Sequence, residues 1–448
     1  MNLGFDTEQL RVLNWRATNR DIAAVVGPPG CGKTTVGSAL AVKMIAESLA
    51  TKVLLVAYTN AAANEFCLEL CDILGSKVAK SLCLRTGNPT GVDPSIPIPF
   101  SRSANEIKEK RIIISTNLSL KKLPALSFDN MIIDEAGVER LEHLLWPFWF
   151  GVNKSQVEEQ KSKYDTRVDG DTQIPFKIND LIELISQCGT VATVVGDPKQ
   201  SRPISPRRVD YSAIEWVIKK STCDTLRISH RLPDLLSGLV NEFAGYDGLR
   251  SAPEISSRRL VLECSPDTEY REIIQPDEVT TWVDINGEEQ PIGPSSWANN
   301  MEAKACAKIC SHLIRITRSK SIAIITRFKA QKLTIMRYLQ RMGYRDIKVT
   351  TTTGALGTQA DIVLFSLTRN NPERNVGAAG TLQDLNVAIS RSKEKLIILG
   401  NFDMMLNGWS GGTSASNKCQ YKSSARKLAR LIDLKYGRVV DAPQMIIC

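Results

Sequence analysis

Short apolar runs, separated by longer stretches of helical period, make up most of this chain. Residues 22–26, 53–57, 111–115, 131–133 and 191–195 are mainly apolar runs of strand length, with polar or helical segments between them. A second series follows at 322–325, 347–349, 362–367 and 395–399. Unbroken apolar strands alternating with helices predict parallel sheets covered on both faces. The expectation is therefore an α/β chain with two domains, residues 1–222 and 223–448. Residues 85–105, 153–179 and 370–380 break the pattern and read as loops or surface excursions. A Ser/Gly-rich link at 410–417 leads to a last basic helix at 422–434.

The first apolar run ends in Gly27-Pro28-Pro29-Gly30-Cys31-Gly32-Lys33-Thr34-Thr35, and a helical pattern starts directly after it. Strand, glycine-rich loop and helix form the context of a phosphate-binding loop. The glycines let backbone N–H groups turn onto phosphate oxygens, and the helix N-terminus adds positive potential. Lys33 is placed for the β- and γ-phosphates, and the Thr34 hydroxyl for Mg²⁺. The run at 131–133 ends in Asp134-Glu135. Ligands of open α/β sheets bind at the carboxyl ends of strands. There Asp134 is suited to hold Mg²⁺, and Glu135 to orient or deprotonate an attacking water.

Charge and cysteine content refine this. The net charge of +9 suits a polyanionic partner. No apolar stretch is long enough to span a bilayer, and the first residues have neither the basic start nor the apolar core of a signal peptide. An intracellular, soluble protein with no membrane insertion is expected. The 11 cysteines form no regular framework and are expected to be free, buried thiols. Cys67/Cys71 and Cys306/Cys310 each fall on one helix face without a second pair, so no structural zinc is expected. Cys31 is the thiol whose oxidation would matter, because it lies in the phosphate loop.

Three further motifs follow. Gly196-Asp197-Pro198-Lys199-Gln200 runs from a strand into a turn with an amide near its tip. Arg227-Ile228-Ser229-His230-Arg231-Leu232 and Leu385-Asn386-Val387-Ala388-Ile389-Ser390-Arg391-Ser392-Lys393 each set an arginine near an element's end. Such a guanidinium either stabilises charge in phosphoryl transfer or forms an ordinary surface ion pair.

Taken in order, these motifs closely resemble superfamily 1 helicases, and within them the up-frameshift (nonsense-mediated-decay) branch. The resemblance runs from Gln9 to about Asn401. It implies two tandem RecA-like P-loop domains with an ATP cleft between them, ATP and Mg²⁺ as ligands, and single-stranded RNA or DNA as track. Protein partners are compatible with it. The implied activity is ATP hydrolysis driving helicase or translocase motion, 5′ to 3′. By position, Gln9 is similar to the glutamine that reads adenine, Gln200 to the γ-phosphate sensor, and Arg231 and Arg391 to two fingers reaching the nucleotide. Glu302 resembles a family acidic position near the nucleotide. Polynucleotide contacts are implied for Thr59, Asn60, Ser115, Thr116, Thr326 and the threonine run that includes Thr351 and Thr352. Polar groups at strand ends hold phosphates without reading sequence.

Three departures stand out. Leu356-Gly357-Thr358-Gln359 replaces the family's Gln-Gly-x-Glu, so Gly357 and Gln359 carry the nucleotide contact differently. His230 stands where many relatives have Tyr, and an imidazole can still stack on a base. The β-barrel, stalk and zinc domain of some relatives are not visible ahead of Gln9. A nucleotide-gated clamp that binds nucleic acid or protein without unwinding is the competing reading. A P-loop kinase or GTPase leaves Arg391 and the second α/β half unexplained.

Overall fold

The computed structural model describes residues 4–18, 22–122, 128–137, 191–200, 212–317, 319–410 and 421–447. The expected excursion at 153–179 and most of the link at 410–417 lie outside them. The chain divides into two compact units. One holds residues 1–27, 32–198 and 202–226, the other 28–31, 199–201 and 227–448.

The first unit contains a seven-stranded sheet. Its strands are β1 (Ala23–Val26), β2 (Val53–Ala57), β3 (Cys83–Arg85), β4 (Ile112–Thr116), β5 (Asn130–Ile133), β6 (Val191–Gly196) and β7 (Thr222–Thr225). They lie in the order β3-β4-β2-β5-β6-β1-β7, and every pairing is parallel. The apolar strands β1, β2, β4, β5 and β6 fill the middle, where both faces are covered. β3 and β7 take the edges. β7, Thr-Cys-Asp-Thr, has no apolar run to announce it and crosses the expected limit at 222/223. Its pairing with β1 carries the first unit on to Leu226. Helices α1 (Thr7–Thr18), α2 (Lys33–Glu47) and α3 (Asn60–Leu74) belong to this unit. A Cβ at Gly37 of α2 would meet Phe66 of α3 at 3.3 Å, so the small side chain permits close packing of the two helices.

The second unit holds a six-stranded, all-parallel sheet. Its strands are β8 (Thr280–Asp284), β9 (Ile322–Thr326), β10 (Lys348–Thr351), β11 (Ala360–Ser366), β12 (Ser392–Gly400) and β13 (Arg438–Asp441). The order is β10-β9-β11-β12-β8-β13. The helices used below are α4 (Asn300–Thr317), α5 (Lys329–Arg341), α6 (Leu382–Ile389) and α7 (Ser424–Leu431). On α4, Ala303, Cys306, Cys310 and Leu313 recur at helical spacing and join Ile324, Leu364 and Ile397 in one core. The expected last helix is shorter than 422–434: α7 ends at Leu431 and a π-helical turn, Ile432–Tyr436, follows.

The parallel-sheet α/β class expected from the apolar runs is the one observed. The described free cysteines Cys31, Cys67, Cys71, Cys83, Cys306 and Cys310 are buried as expected, whereas Cys223 and Cys264 are exposed. Burial pushes the Cys67, Cys83 and Cys310 thiols up to about 12, so they stay protonated at neutral pH. No helix among the described residues is long and apolar enough to cross a membrane.

Candidate nucleotide and nucleic-acid site

β1 ends where the glycine-rich loop begins, and the Gly27 N–H is held by Gly196 O at 3.2 Å. Gly32, at φ 69, precedes α2 in the left-handed region and offers no side-chain cap. A helix start of this kind, with the helix dipole behind it, is suited to an anion. A Cβ at Gly32 would lie 2.5 Å from Gln9 Nε2, so glycine allows the loop to pass directly against Gln9. Gln9 is itself buried on α1, and its Oε1 accepts from the Asp6 N–H at 3.2 Å. The structure thus brings Gln9 to the loop across a long sequence gap.

Lys33 Nζ donates to Gly27 O at 2.7 Å, which folds the lysine back over the loop. Thr34 Oγ1 donates to Asp134 Oδ2 at 2.8 Å. Asp134 is buried at the end of β5, and its N–H is fixed by Val56 O at 2.9 Å. Burial raises its carboxyl pKa above the ordinary value, opposed by the Glu135 N–H, the Thr34 hydroxyl and the Lys33 charge. Glu135 follows at φ 55, a left-handed conformation that costs a non-glycine residue energy and clusters at functional sites. Thr35 is committed to Glu69 of α3 at 3.0 Å.

The second unit gathers another set. Arg391 lies two residues beyond α6 and is only 3 % exposed. Its Nε donates to Val387 O at 3.0 Å and its Nη2 to Gln200 Oε1 at 2.9 Å. Arg231 Nε donates to Gln359 Oε1 at 3.1 Å and its Nη1 to Ser390 O at 3.2 Å. The His230 N–H donates to Gly30 O at 2.8 Å, and its Nδ1 lies 3.3 Å from Glu254 Oε1. Gly30 takes φ 80, and a Cβ there would strike Ser229 Oγ at 2.5 Å and Arg231 Cβ at 2.6 Å. Gly357, at φ 73, makes the turn before Gln359. The substituted motif thus keeps a polar contact with an arginine, supplied by an amide.

Residues 4–104 and, separately, 209–403 match two families described as AAA domains. The regulator of nonsense transcripts 1 homolog of Neurospora crassa is 24% identical over 85% of this chain and 36% of its own length. The ATP-dependent helicase NAM7 of Saccharomyces cerevisiae is 23% identical over 85% of this chain and 40% of its own length. These similarities support reading the chain as a superfamily 1 helicase of the up-frameshift-like type. The chain spans well under half the length of these two relatives. Among solved structures, the arterivirus nonstructural protein 10 helicase aligns with a TM-score of 0.42 and 14% identity, covering 88% of this chain and 61% of that one.

The residues that the helicase resemblance assigns to the polynucleotide divide by exposure. Thr59 caps α3, accepting from the Ala62 N–H at 3.1 Å, and is partly exposed. Asn60 is also partly exposed, and its Oδ1 accepts from Arg85 Nη2 at 2.9 Å. Thr351 is partly exposed at the end of β10. By contrast Ser115, Thr326 and Thr352 are fully buried and Thr116 is nearly so. Thr116 Oγ1 donates to Ser119 Oγ at 2.9 Å, Thr326 Oγ1 pairs with Thr368 Oγ1 at 3.1 Å, and Thr352 Oγ1 donates to Asp384 Oδ1 at 2.7 Å. These hydroxyls hold strand ends together, and their side chains present no surface to a ligand in this conformation.

Two residues escaped the sequence reading. Arg85, in the segment expected to be a loop, ends β3 with 1 % exposure. It bonds Thr86 O, Ile114 O and Asn60, joining three segments at one edge of the sheet. A three-residue strand before a proline-rich stretch gives no periodic signal. The second is Asp384, whose carboxylate meets Thr352, Thr381 and Arg327.

Glu302 requires a correction. It is not at a ligand surface: it is fully buried on α4. Its carboxylate accepts from Ser366 Oγ at 2.7 Å, the Thr368 N–H at 2.8 Å and Asn299 Nδ2 at 3.2 Å. Gln331 of α5 joins the same network through Asn299 and Ser366. These contacts tie the end of β11 to the start of α4. Burial outweighs these donors and pushes the Glu302 carboxyl up to about 8 from 4.5. A raised folded-state pKa means that the folded chain binds the proton more tightly than the unfolded one. Its stabilising contribution is full below about pH 4.5 and is lost as pH rises through about 8. The stability of the native chain relative to Glu302→Gln should therefore fall, by a few kcal/mol at most, between pH 5 and pH 8.5. Urea midpoints of both chains at those two pH values test this. A difference that does not change with pH would refute it.

Proposed function

We propose that the chain hydrolyses ATP and uses it to move on single-stranded RNA or DNA, as an up-frameshift-like helicase or translocase. The observation that carries this is the Thr34–Asp134 hydrogen bond at the N-terminus of α2. It places a hydroxyl oxygen and a carboxylate oxygen next to a phosphate-binding helix end. Hard oxygen donors of this kind suit Mg²⁺, with Thr34 and Asp134 as the residues that would hold it. When bound, the ion neutralises charge on the β- and γ-phosphates.

The chain's own groups do the rest. Lys33 exchanges Gly27 O for phosphate oxygens. Glu135 orients the attacking water and accepts its proton. Gln200 contacts the γ-phosphate or that water, and Arg231 and Arg391 offset the charge that develops on the transferred group. Gln9 reads the adenine edge and His230 stacks on the base. The loop of residues 27–35 supplies N–H donors, and Gly357 and Gln359 support the arginines. The exposed polar groups of Thr59, Asn60 and Thr351 take the polynucleotide backbone.

A ligand shifts a two-state equilibrium only through its unequal affinity for the two states. A polynucleotide that moves with the ATP cycle must therefore stimulate turnover. Steady-state ATPase activity is expected to rise at least about fivefold with single-stranded RNA or single-stranded DNA. Turnover indifferent to both polymers would overturn the motor reading. Stimulated turnover without strand displacement would leave a nucleotide-gated clamp.

A further inference from the structure

Asp384 sits in the first turn of α6, and its carboxylate joins three segments of the second unit. Oδ1 accepts from Thr352 Oγ1 at 2.7 Å, just beyond β10. Oδ2 accepts from Thr381 Oγ1 at 2.9 Å, the residue that caps α6. Oδ2 also lies 2.9 Å from Arg327 Nε, directly after β9. The Arg327 N–H is not aligned on that oxygen, so the contact is an ion pair and not a directed hydrogen bond. The ends of β9 and β10 are themselves joined, since the Thr352 N–H donates to Thr326 O at 2.9 Å.

The arginine proposed for phosphoryl transfer, Arg391, follows the other end of the same short helix by two residues. Asp384 to Arg391 is seven residues, roughly 10 Å along a helix axis. Between them Asn386 Nδ2 donates to Lys199 O at 2.8 Å and to Tyr246 Oη at 2.7 Å. At the far end Ser390 O accepts from Arg231 and Arg391 bonds Gln200. One rigid element thus has the strand-end loops at its start and both arginines at its finish. A helix this short moves as a unit, because its backbone bonds leave no internal joint.

We infer that Asp384 is a positioning residue that transmits polynucleotide binding at the ends of β9 and β10 to Arg391 through α6. The inference rests on the reading of the chain as a polynucleotide-stimulated ATPase. Arg327 is about one-third exposed, whereas Asp384 is mostly buried. An incoming phosphate competes with Asp384 for the Arg327 guanidinium. Asp384 then keeps its two threonine hydroxyls and loses its cation, and the first turn of α6 resettles with the loop after β10. The displacement reaches Arg391 because α6 connects the two. Lengthening the Arg327–Asp384 contact costs little, since Arg327 is about one-third exposed and its N–H is not aligned on the carboxylate.

The test compares native chain, Asp384→Asn, Arg327→Asp, Asp384→Arg and the charge-swapped double variant Arg327→Asp/Asp384→Arg. Three readouts are taken: ATPase rate with and without single-stranded RNA or DNA, polynucleotide affinity by fluorescence anisotropy, and thermal midpoint. Asp384→Asn is expected to lower the ratio of stimulated to unstimulated turnover at least about fivefold, with polynucleotide affinity changed less than about threefold. The swapped pair is expected to recover much of the ratio that each single charge reversal loses. A native ratio in Asp384→Asn would overturn the inference. So would a parallel fall in unstimulated rate and thermal midpoint, which is the mark of a structural role alone. A native chain that neither polymer stimulates would instead overturn the functional reading, and this inference with it.

Discussion

Arg391→Ala is expected to lower ATP turnover by about a thousandfold or more, while affinity for a non-hydrolysable ATP analogue changes far less. A guanidinium acting on charge that appears only during phosphoryl transfer contributes to the transition state and little to ground-state binding. The structure supports this role through pre-organisation. Arg391 is almost fully buried, its Nε is tied to Val387 O, and its Nη2 meets the Gln200 amide. A planar fork held on two sides retains its aim, which an ammonium does not reproduce, so Arg391→Lys should recover only part of the loss. Equal losses in turnover and analogue affinity would show that Arg391 binds the ground state. Unchanged turnover would reduce it to a structural link.

Glu135→Gln should retain ATP binding and lose hydrolysis by about a hundredfold to ten-thousandfold. The amide keeps the size and one acceptor of the carboxylate and cannot take a proton. Glu135 follows Asp134 at the carboxyl end of β5, in a left-handed backbone conformation. Asp134 and Glu135 also differ in chemistry. The Asp134 carboxylate already accepts from Thr34 and from the Glu135 N–H, at 2.8 and 2.7 Å, so it is suited to hold an ion and not to turn over protons. Single-turnover hydrolysis with bound ATP measures the step directly. Undiminished hydrolysis in Glu135→Gln would remove this residue from water activation and leave Gln200 as the next group to examine.

Much of the central architecture was legible because buried parallel strands must be apolar on both faces. Strands β1, β2, β4, β5 and β6 fall within one or two residues of the apolar runs, and so do β9 and β11, whereas β12 starts three residues earlier than its run. Edge strands carry no such demand. β3, β7 and β13 are short and contain polar residues, so nothing in their local pattern separates them from loops. β8 lies inside its sheet and was also missed. Its Trp282 is anchored by a hydrogen bond from Nε1 to Gly400 O at 2.9 Å and packs edge-on against Phe402. Lys395 shows the opposite difficulty. It is charged in sequence and fully buried in β12, where Thr281 Oγ1 and the carbonyls of Gln275 and Glu278 take its Nζ. Burial lowers its pKa to about 7.

The sequence by itself determined the strand, glycine-rich loop and helix order around residues 27–35, because the signal is contiguous. It likewise determined the strand-end position of Asp134 and Glu135, which follows from an apolar run stopping at two carboxylates. Only the tertiary structure decided which distant side chains serve those motifs. Gln9 meets Gly32, Arg85 holds Asn60, and Asp384 joins Arg327 to Thr352 through contacts between residues far apart in the chain. It also decided that the side chains of Ser115, Thr326, Thr352 and Glu302 are buried. Burial of a polar residue depends on what packs over it, and local sequence carries no record of that.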